Sequence, residues 1–283
     1  MHMRLREDIV AKTNYRNPLK FGKNLQMMKK LKIGHSLSEP GICRGGGEAL
    51  VEAAAEGKVR EVQGLIGCPG VDINYANSLG ETGLWYASFK GHLQVVKLLL
   101  STPGIDVNQA RRTDIGATPL FMASHFGHVE VVKELLAHQQ INVNQGLTTT
   151  GATPLFIASQ NGHVEVVKEL LAHPQINVNQ ATADGSTPLL AGSHLEVVKE
   201  LLADQRVDPN KIRTDDKDNA IIIAADFGEL EVVKLLLQCP KVVLGVKNKY
   251  GKTELDYARE GGHPDMVNAI QSRKTLLQLG HTC

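Results

Sequence analysis

Residues 116–145 read GATPLFMASHFGHVEVVKELLAHQQINVNQ, and residues 151–180 read GATPLFIASQNGHVEVVKELLAHPQINVNQ. Four of the thirty positions differ: Met122/Ile157, His125/Gln160, Phe126/Asn161 and Gln139/Pro174. A near-duplicate at a fixed interval means one supersecondary unit that is copied and stacked, each copy burying an apolar face it cannot bury alone. With the Thr of TPL as marker, equivalent positions fall at Glu48, Thr82, Thr118, Thr153, Thr187, Asn219 and Thr253, at intervals of 34, 36, 35, 34, 32 and 34 residues. We number these units one to seven.

Each unit carries its own punctuation. Thr118, Thr153 and Thr187 stand where a hydroxyl can cap a helix, and Pro119, Pro154 and Pro188 follow at the first helical position, where a missing N–H costs nothing. After a Gly-His turn, Val131, Val132, Leu135 and Leu136 form a single apolar stripe at helical spacing, with Glu130 and Lys133 on the opposite, wet side. The unit closes on IDVN at 105–108, or INVN at 141–144 and 176–179, whose alternation suits one arm of a hairpin.

Of 283 residues, 42% are hydrophobic and 4% aromatic, so the core is one of Ala, Val and Leu on thin helices. The net charge of +1 hides a split: residues 1–47 hold ten Lys/Arg and three Asp/Glu, about +7, and residues 48–283 hold 21 and 27, about −6. Cys68 and Cys239, each before a proline, lie five units apart; at ~10 Å per unit they exceed the ~7 Å reach of a disulfide. With no glycosylation sequon, no membrane-length apolar run and no signal-peptide core, the expectation is an intracellular, cytoplasmic or nuclear, chain with reduced thiols.

TPLFxAS, then GHVEVVKELL, then INVN, resembles the ankyrin repeat, whose pattern runs Gly-x-Thr-Pro-Leu-His-x-Ala-Ala, Gly-His and Asp-Val-Asn. The resemblance implies an all-α repeat solenoid of helix-turn-helix units with β-hairpin loops, a curved elongated stack over residues 48–283 with units starting near 46, 80, 116, 151, 185, 217 and 251. It also implies a non-catalytic protein–protein interaction module, an adaptor or scaffold, with no cofactor. The chain departs from the pattern at the TPLH histidine, replaced by Trp85, Phe121, Phe156, Leu190, Ile222 and Asp256; the larger apolar groups are expected to fill the space between units. Unit one lacks Thr-Pro, and unit seven carries Glu254, Arg259 and Glu260, as polar terminal units do. In unit five, Thr187 to His194 spans seven residues where other units take ten. Nearly one helical turn is missing, and the weakest interface is expected there.

No catalytic or metal constellation stands out. His92, His128, His163, His194 and His263 occupy one turn per unit, spread along the stack rather than converging as ligands must. Gly251-Lys252-Thr253 has the end of a phosphate loop but Tyr250 where that loop needs glycine. Ser88, Ser124 and Ser159 read as small residues at a tight helix contact. Asn74, Asn108, Asn144, Asn179 and Asn210 end the extended stretches, where an Asn side chain bonds nearby backbone. The family resemblance adds that such asparagines are β-hydroxylated in some members, which would make Asn108, Asn144 and Asn179 substrate positions.

By the same resemblance, partners bind hairpin tips and first helices on the concave face. The matching positions are the pair before the turn Gly, the residue between Gly and Thr, and the pair before Gly-His. They are Ser78, Leu79, Glu81, Phe89 and Lys90; Asp114, Ile115, His125 and Phe126; Thr149, Thr150, Gln160 and Asn161. Asp215, Asp216, Asp218, Asp226 and Phe227 continue the row, followed by Lys249, Tyr250 and Lys252. Phe89, Phe126 and Phe227 recur just before Gly-His, as anchors for a partner or as packing between units. Arg111 and Arg112 make one hairpin basic and the three aspartates make another acidic, a polarised groove. The expected partner is a protein, bound by a monomer. Residues 1–47 read as a basic tail closed by the linker Gly45-Gly46-Gly47, with helical spacing of Phe21, Leu25, Met28 and Lys32. Residues 1–44 would dock on unit one or stay disordered; attachment to nucleic acid or an acidic membrane is the alternative, as is a host-directed effector of an intracellular parasite or virus.

Overall fold

The computed structural model describes residues 45–112, 115–192 and 194–279. The helix expected between Lys20 and Lys32, the rest of residues 1–44, and Asp114 lie outside them. Each unit is a pair of helices. Unit one holds α1 (Gly46–Ala55) and α2 (Val59–Ile66), unit two α3 (Gly83–Lys90) and α4 (Leu93–Leu100), and unit three α5 (Pro119–Phe126) and α6 (Val129–Leu136). Unit four holds α7 (Pro154–Asn161) and α8 (Val164–Ala172), and unit five α9 (Pro188–Ala191) and α10 (Leu195–Ala203). Unit six holds α11 (Ala220–Asp226) and α12 (Leu230–Gln238), and unit seven α13 (Glu254–Glu260) and α14 (Pro264–Gln278).

The first helices start where the hydroxyls direct. Thr82, Thr118 and Thr153 each accept from the N–H three residues on at 3.1 Å, and Asn219 does the same for α11 at 3.1 Å. Thr253 and Asp256 cap each other's backbone in a reciprocal box at the start of α13. The second helices bury the expected stripe: Val131, Val132 and Leu135 are buried, while Leu136 packs at the margin. Glu254, expected as part of a polar cap, is instead buried; its carboxylate accepts from Gly245 N–H at 3.0 Å and meets Lys274 at 2.8 Å.

The hairpin arms differ from expectation. Among the described residues no strand forms, only an isolated bridge between Ala76 and Thr82. In IDVN and INVN the alternation has another cause: Ile105 and Val107 point into the core, and the side chain of Asp106 accepts from Asn108 N–H at 3.0 Å to close a turn. Backbone bonds close the loops, such as Arg111 N–H to Ala117 O at 3.0 Å and Leu147 N–H to Ala152 O at 3.0 Å. Successive tips are then tied to each other, Arg112 N–H to Leu79 O at 3.0 Å, Thr148 N–H to Ile115 O at 3.1 Å, and Ala183 N–H to Thr150 O at 2.8 Å.

Two clasps join one unit to the next. In the first, the histidine of each Gly-His turn lays its ring on the glycine of the unit before. Gly127 has φ +72°, and a Cβ there would lie 2.7 Å from the His163 ring; Gly91 stands the same way to His128. The ring Nε2 lies 3.0 Å from His125 O in the case of His163, 3.1 Å from Phe89 O for His128 and 3.2 Å from Ala55 O for His92. In the second, Asn144 donates to Gln175 O at 2.7 Å and accepts from Asn177 N–H at 2.8 Å, over thirty residues away. Asn74, Asn108, Asn179 and Asn210 repeat this double bond.

Two expectations are corrected here. Gly46 and Gly47, read as linker, are the first turn of α1, and Gly47 is required because a Cβ would strike the Tyr75 ring at 2.4 Å. Cys239 is free but Cys68 is disulfide-bonded, so the two do not pair and the reading of all thiols as reduced fails. In unit five the missing turn shortens α9 to four residues. Gly192 is extended there instead of left-handed, and Glu229 takes the clasp histidine's place in unit six. Helix α9 packs on α7 but meets α11 only at its margin.

Candidate functional site

The stack has two long faces of different electrostatic character. The second helices neutralise themselves. Lys133 lies 2.8 Å from Glu130 in its own helix and 3.8 Å from Glu169 in the next unit, and Lys168 lies 2.9 Å from Glu165 and 3.8 Å from Glu200. The face of first helices and hairpin tips carries the positions singled out in the sequence.

Those positions divide by column. The residue between Gly and Thr turns inward in nearly every unit, because its carbonyl closes the hairpin and its side chain faces the next unit. Glu81 is therefore buried rather than available to a partner. Its carboxylate accepts from Asn77 at 2.9 Å and from the Tyr86 hydroxyl, and meets Arg111 Nε from unit three at 3.0 Å. Burial, then the adjacent Glu81 carboxylate, pushes the Tyr86 phenol far above its ordinary range. Asp218 repeats the arrangement, buried and accepting from Asn248 of unit seven at 2.7 Å. Burial also raises its pKa. Lys252, in the same column, is half-buried and paired with Glu260 at 2.6 Å.

The pair before Gly-His follows a rule the sequence concealed. The residue adjoining the glycine sits on the residue one place earlier in the preceding unit. Phe126 thus packs edge-to-face on Phe89 at 4.9 Å, and Asn161 donates to His125 O at 2.9 Å. Phe89 and Phe126 are not in one column: Phe89 aligns with His125, Gln160 and Asp226, and Phe126 with Lys90, Asn161 and Phe227. Phe89, Phe126 and Phe227 are all half-buried, and the first two also pack between units. Unit five has neither column.

His125 lies against Phe121 and Phe126, at ring separations of 6.4 and 4.5 Å. Burial, reinforced by the charge of His163, pulls its pKa down to about 4, and burial lowers that of His128 as well. Trp85 and Phe121, in place of the family histidine, are buried between units, and Trp85 Nε1 donates to Ala117 O of unit three at 3.0 Å. Ser78, Lys90, Arg112, Thr149, Asn161 and Tyr250 are exposed, while Leu79, Arg111, Ile115, Thr150, Gln160 and Asp226 are half-buried. Ser88, Ser124 and Ser159 are buried in the helix contact.

A stack of helix pairs, tied by clasps that recur from unit to unit and leaving one row of variable side chains partly exposed, defines a helical repeat solenoid. Family models described as "Ankyrin repeats (3 copies)" match residues 19–111, 108–182 and 189–275, and the chain belongs to the ankyrin-repeat family. The ankyrin repeat domain of Bcl-3, described as a unique member of the IkappaB protein family, superposes with a TM-score of 0.70 at 21% identity, over 79% of this chain and 97% of that one. The human ASB11 ankyrin repeat domain superposes with a TM-score of 0.63 at 28% identity, over 79% of this chain and 96% of that one. No curated protein matches by sequence. Among the described residues no helix is long and apolar enough to cross a membrane.

Proposed function

We propose that the chain is a non-catalytic adaptor or scaffold that binds a protein partner across its hairpin tips and first helices. The observation that carries this is the division between shared and differing residues in units three and four. Their shared residues build helices and clasps; His125-Phe126 against Gln160-Asn161 differ on the partly exposed face. The backbone beneath this row is tied at the tips, at the glycine-histidine clasp and at the asparagine clasp. Side chains held in place before binding lose little freedom on binding, and an interface gains affinity by that saving. Phe126 packed on Phe89 supplies an aromatic anchor of the kind that dominates interface energies.

Capture of partners from a lysate on the immobilised protein tests this reading. A Lys90→Ala/Phe126→Ala variant is expected to lose at least about tenfold in recovery of the specific partner, at unchanged far-UV circular dichroism. Glu130→Ala/Glu165→Ala, on the opposite face, is expected to leave recovery intact. Loss with the second variant and not the first would place binding on the wrong face and refute the proposal.

A further inference from the structure

The charges on this face are segregated, unlike those on the second helices. In units two and three the exposed cations Lys90 and Arg112 pair with no carboxylate among the described residues; Lys90 Nζ lies 4.7 Å over the Phe89 ring instead. The carboxylate of that region, Glu81, is buried and held by Arg111. Asp114 follows in sequence and lies outside the described residues. In units five and six the sign reverses. Asp184 and Asp215 are exposed; among the described residues Asp184 accepts hydrogen bonds only from Thr182 and Ser186, with the charge of Arg213 also acting on it, and Asp215 has no ion pair. Asp216 binds Arg213, which Asp218 shares, and Lys217 stands exposed beside them. Thr214 N–H donates to Asp184 O at 2.9 Å, so the tips carrying Asp184 and Asp215 are neighbours.

Paired charges on the second helices cancel at a distance, whereas segregated ones steer. At ~10 Å per unit the two regions are ~30 Å apart, several times the ~8 Å screening length at physiological salt, so each acts on what lies directly over it. Between them the face is uncharged, with Thr149, Gln160 and Asn161. Resting on the binding role proposed above, we propose that this face recognises a protein segment of opposed polarity. Acidic residues next to an apolar side chain lie over Lys90, Arg112 and Phe126, and basic residues ~30 Å further on lie over Asp184 and Asp215. An extended segment covers that distance in about nine residues. A nucleic acid, uniformly anionic, would be repelled by the second region.

The probes are two fluorescein-labelled peptides of equal composition, read by anisotropy at low and high salt. One carries a Glu/Leu block, an eight-residue Gly-Ser spacer and a Lys block; the other alternates Glu and Lys throughout. The block peptide is expected to bind at least about tenfold tighter, with the advantage lost at high salt. Lys90→Glu/Arg112→Glu and Asp184→Lys/Asp215→Lys are each expected to abolish that advantage. The fourfold variant restores it, because the face then has inverted polarity and the peptide turns end for end; a folding defect cannot do this. Equal binding of the two peptides, failure of the fourfold variant to restore binding, or tighter binding of a twenty-nucleotide single-stranded DNA overturns the inference. If Lys90→Ala/Phe126→Ala still abolishes partner capture while the charge reversals do nothing to it, the face stands and only its polarity falls.

Discussion

Replacing Gly127 by Ala tests the clasp that defines the stacking. Two costs separate cleanly. A left-handed φ of +72° disfavours any residue with a Cβ by about 1–2 kcal/mol. The Cβ would also meet the His163 ring at 2.7 Å, and since the ring's Cγ is 3.1 Å away the whole imidazole must move. That sacrifices the bond from His163 to His125 O at 3.0 Å, worth about 0.5–1.5 kcal/mol, and part of the ring's packing. Asn161 still donates to the same carbonyl at 2.9 Å, so no orphaned acceptor adds to the bill. Gly104 supplies the control: φ is +85° and nothing lies within 4 Å of its Cβ position. Urea denaturation followed by circular dichroism at pH 7.5 is expected to show Gly104→Ala destabilised by about 1–2 kcal/mol, the backbone cost alone. Gly127→Ala should lose about 2–3 kcal/mol. In Gly127→Ala/His163→Ala the clash is gone, and the double mutant should cost about 1 kcal/mol less than the sum of the singles. Equal losses in the two glycine variants, or full additivity with His163→Ala, would refute the ring-on-glycine account.

Three further outcomes follow from the same contacts. Asn144→Ala removes two bonds to unit four, at 2.7 and 2.8 Å, and should cost about 1–2 kcal/mol by urea denaturation. Asn144→Asp, keeping the acceptor alone, should fall between. His125 has its folded pKa depressed to about 4, below the ordinary 6.5, so the unfolded chain binds more protons between those values. Its contribution is therefore complete above pH 6.5 and is lost as pH falls towards 4, at up to about 1.4 kcal/mol per pH unit. His125→Gln, which copies Gln160, should flatten that slope in denaturation at pH 7.5, 5.5 and 4.5. Native-state hydrogen exchange should show α11 to α14 opening more readily than α5 to α8, because unit five offers α11 only a four-residue helix and no histidine clasp. Units four and five emerging as the most protected pair would contradict this.

The elements were legible in the sequence because their causes are local. Thr118 bonds a backbone group three residues on, Pro119 fixes its own φ, and Val131, Val132 and Leu135 recur at the helical period, so a window shorter than one unit contains each signal. The shortened helix of unit five was equally plain, as a simple count between Thr187 and His194. The extended arms were misread because Asp106 and Asn142 make Asx turns that alternate apolar and polar residues as a strand would.

Contacts between units had no such local signature. His163 and Gly162 are neighbours in sequence yet serve different interfaces, the ring resting on Gly127 and the glycine receiving His194. Glu81 looked like surface in the sequence and proved buried, since its column faces the next unit's hairpin. The offset that sets Phe126 on Phe89, and Asn161 on His125, is a property of how one copy is displaced on the next. A repeated sequence states what each copy contains; the translation and rotation between copies come from packing, and only they decide which side chains meet and which are left to face a partner.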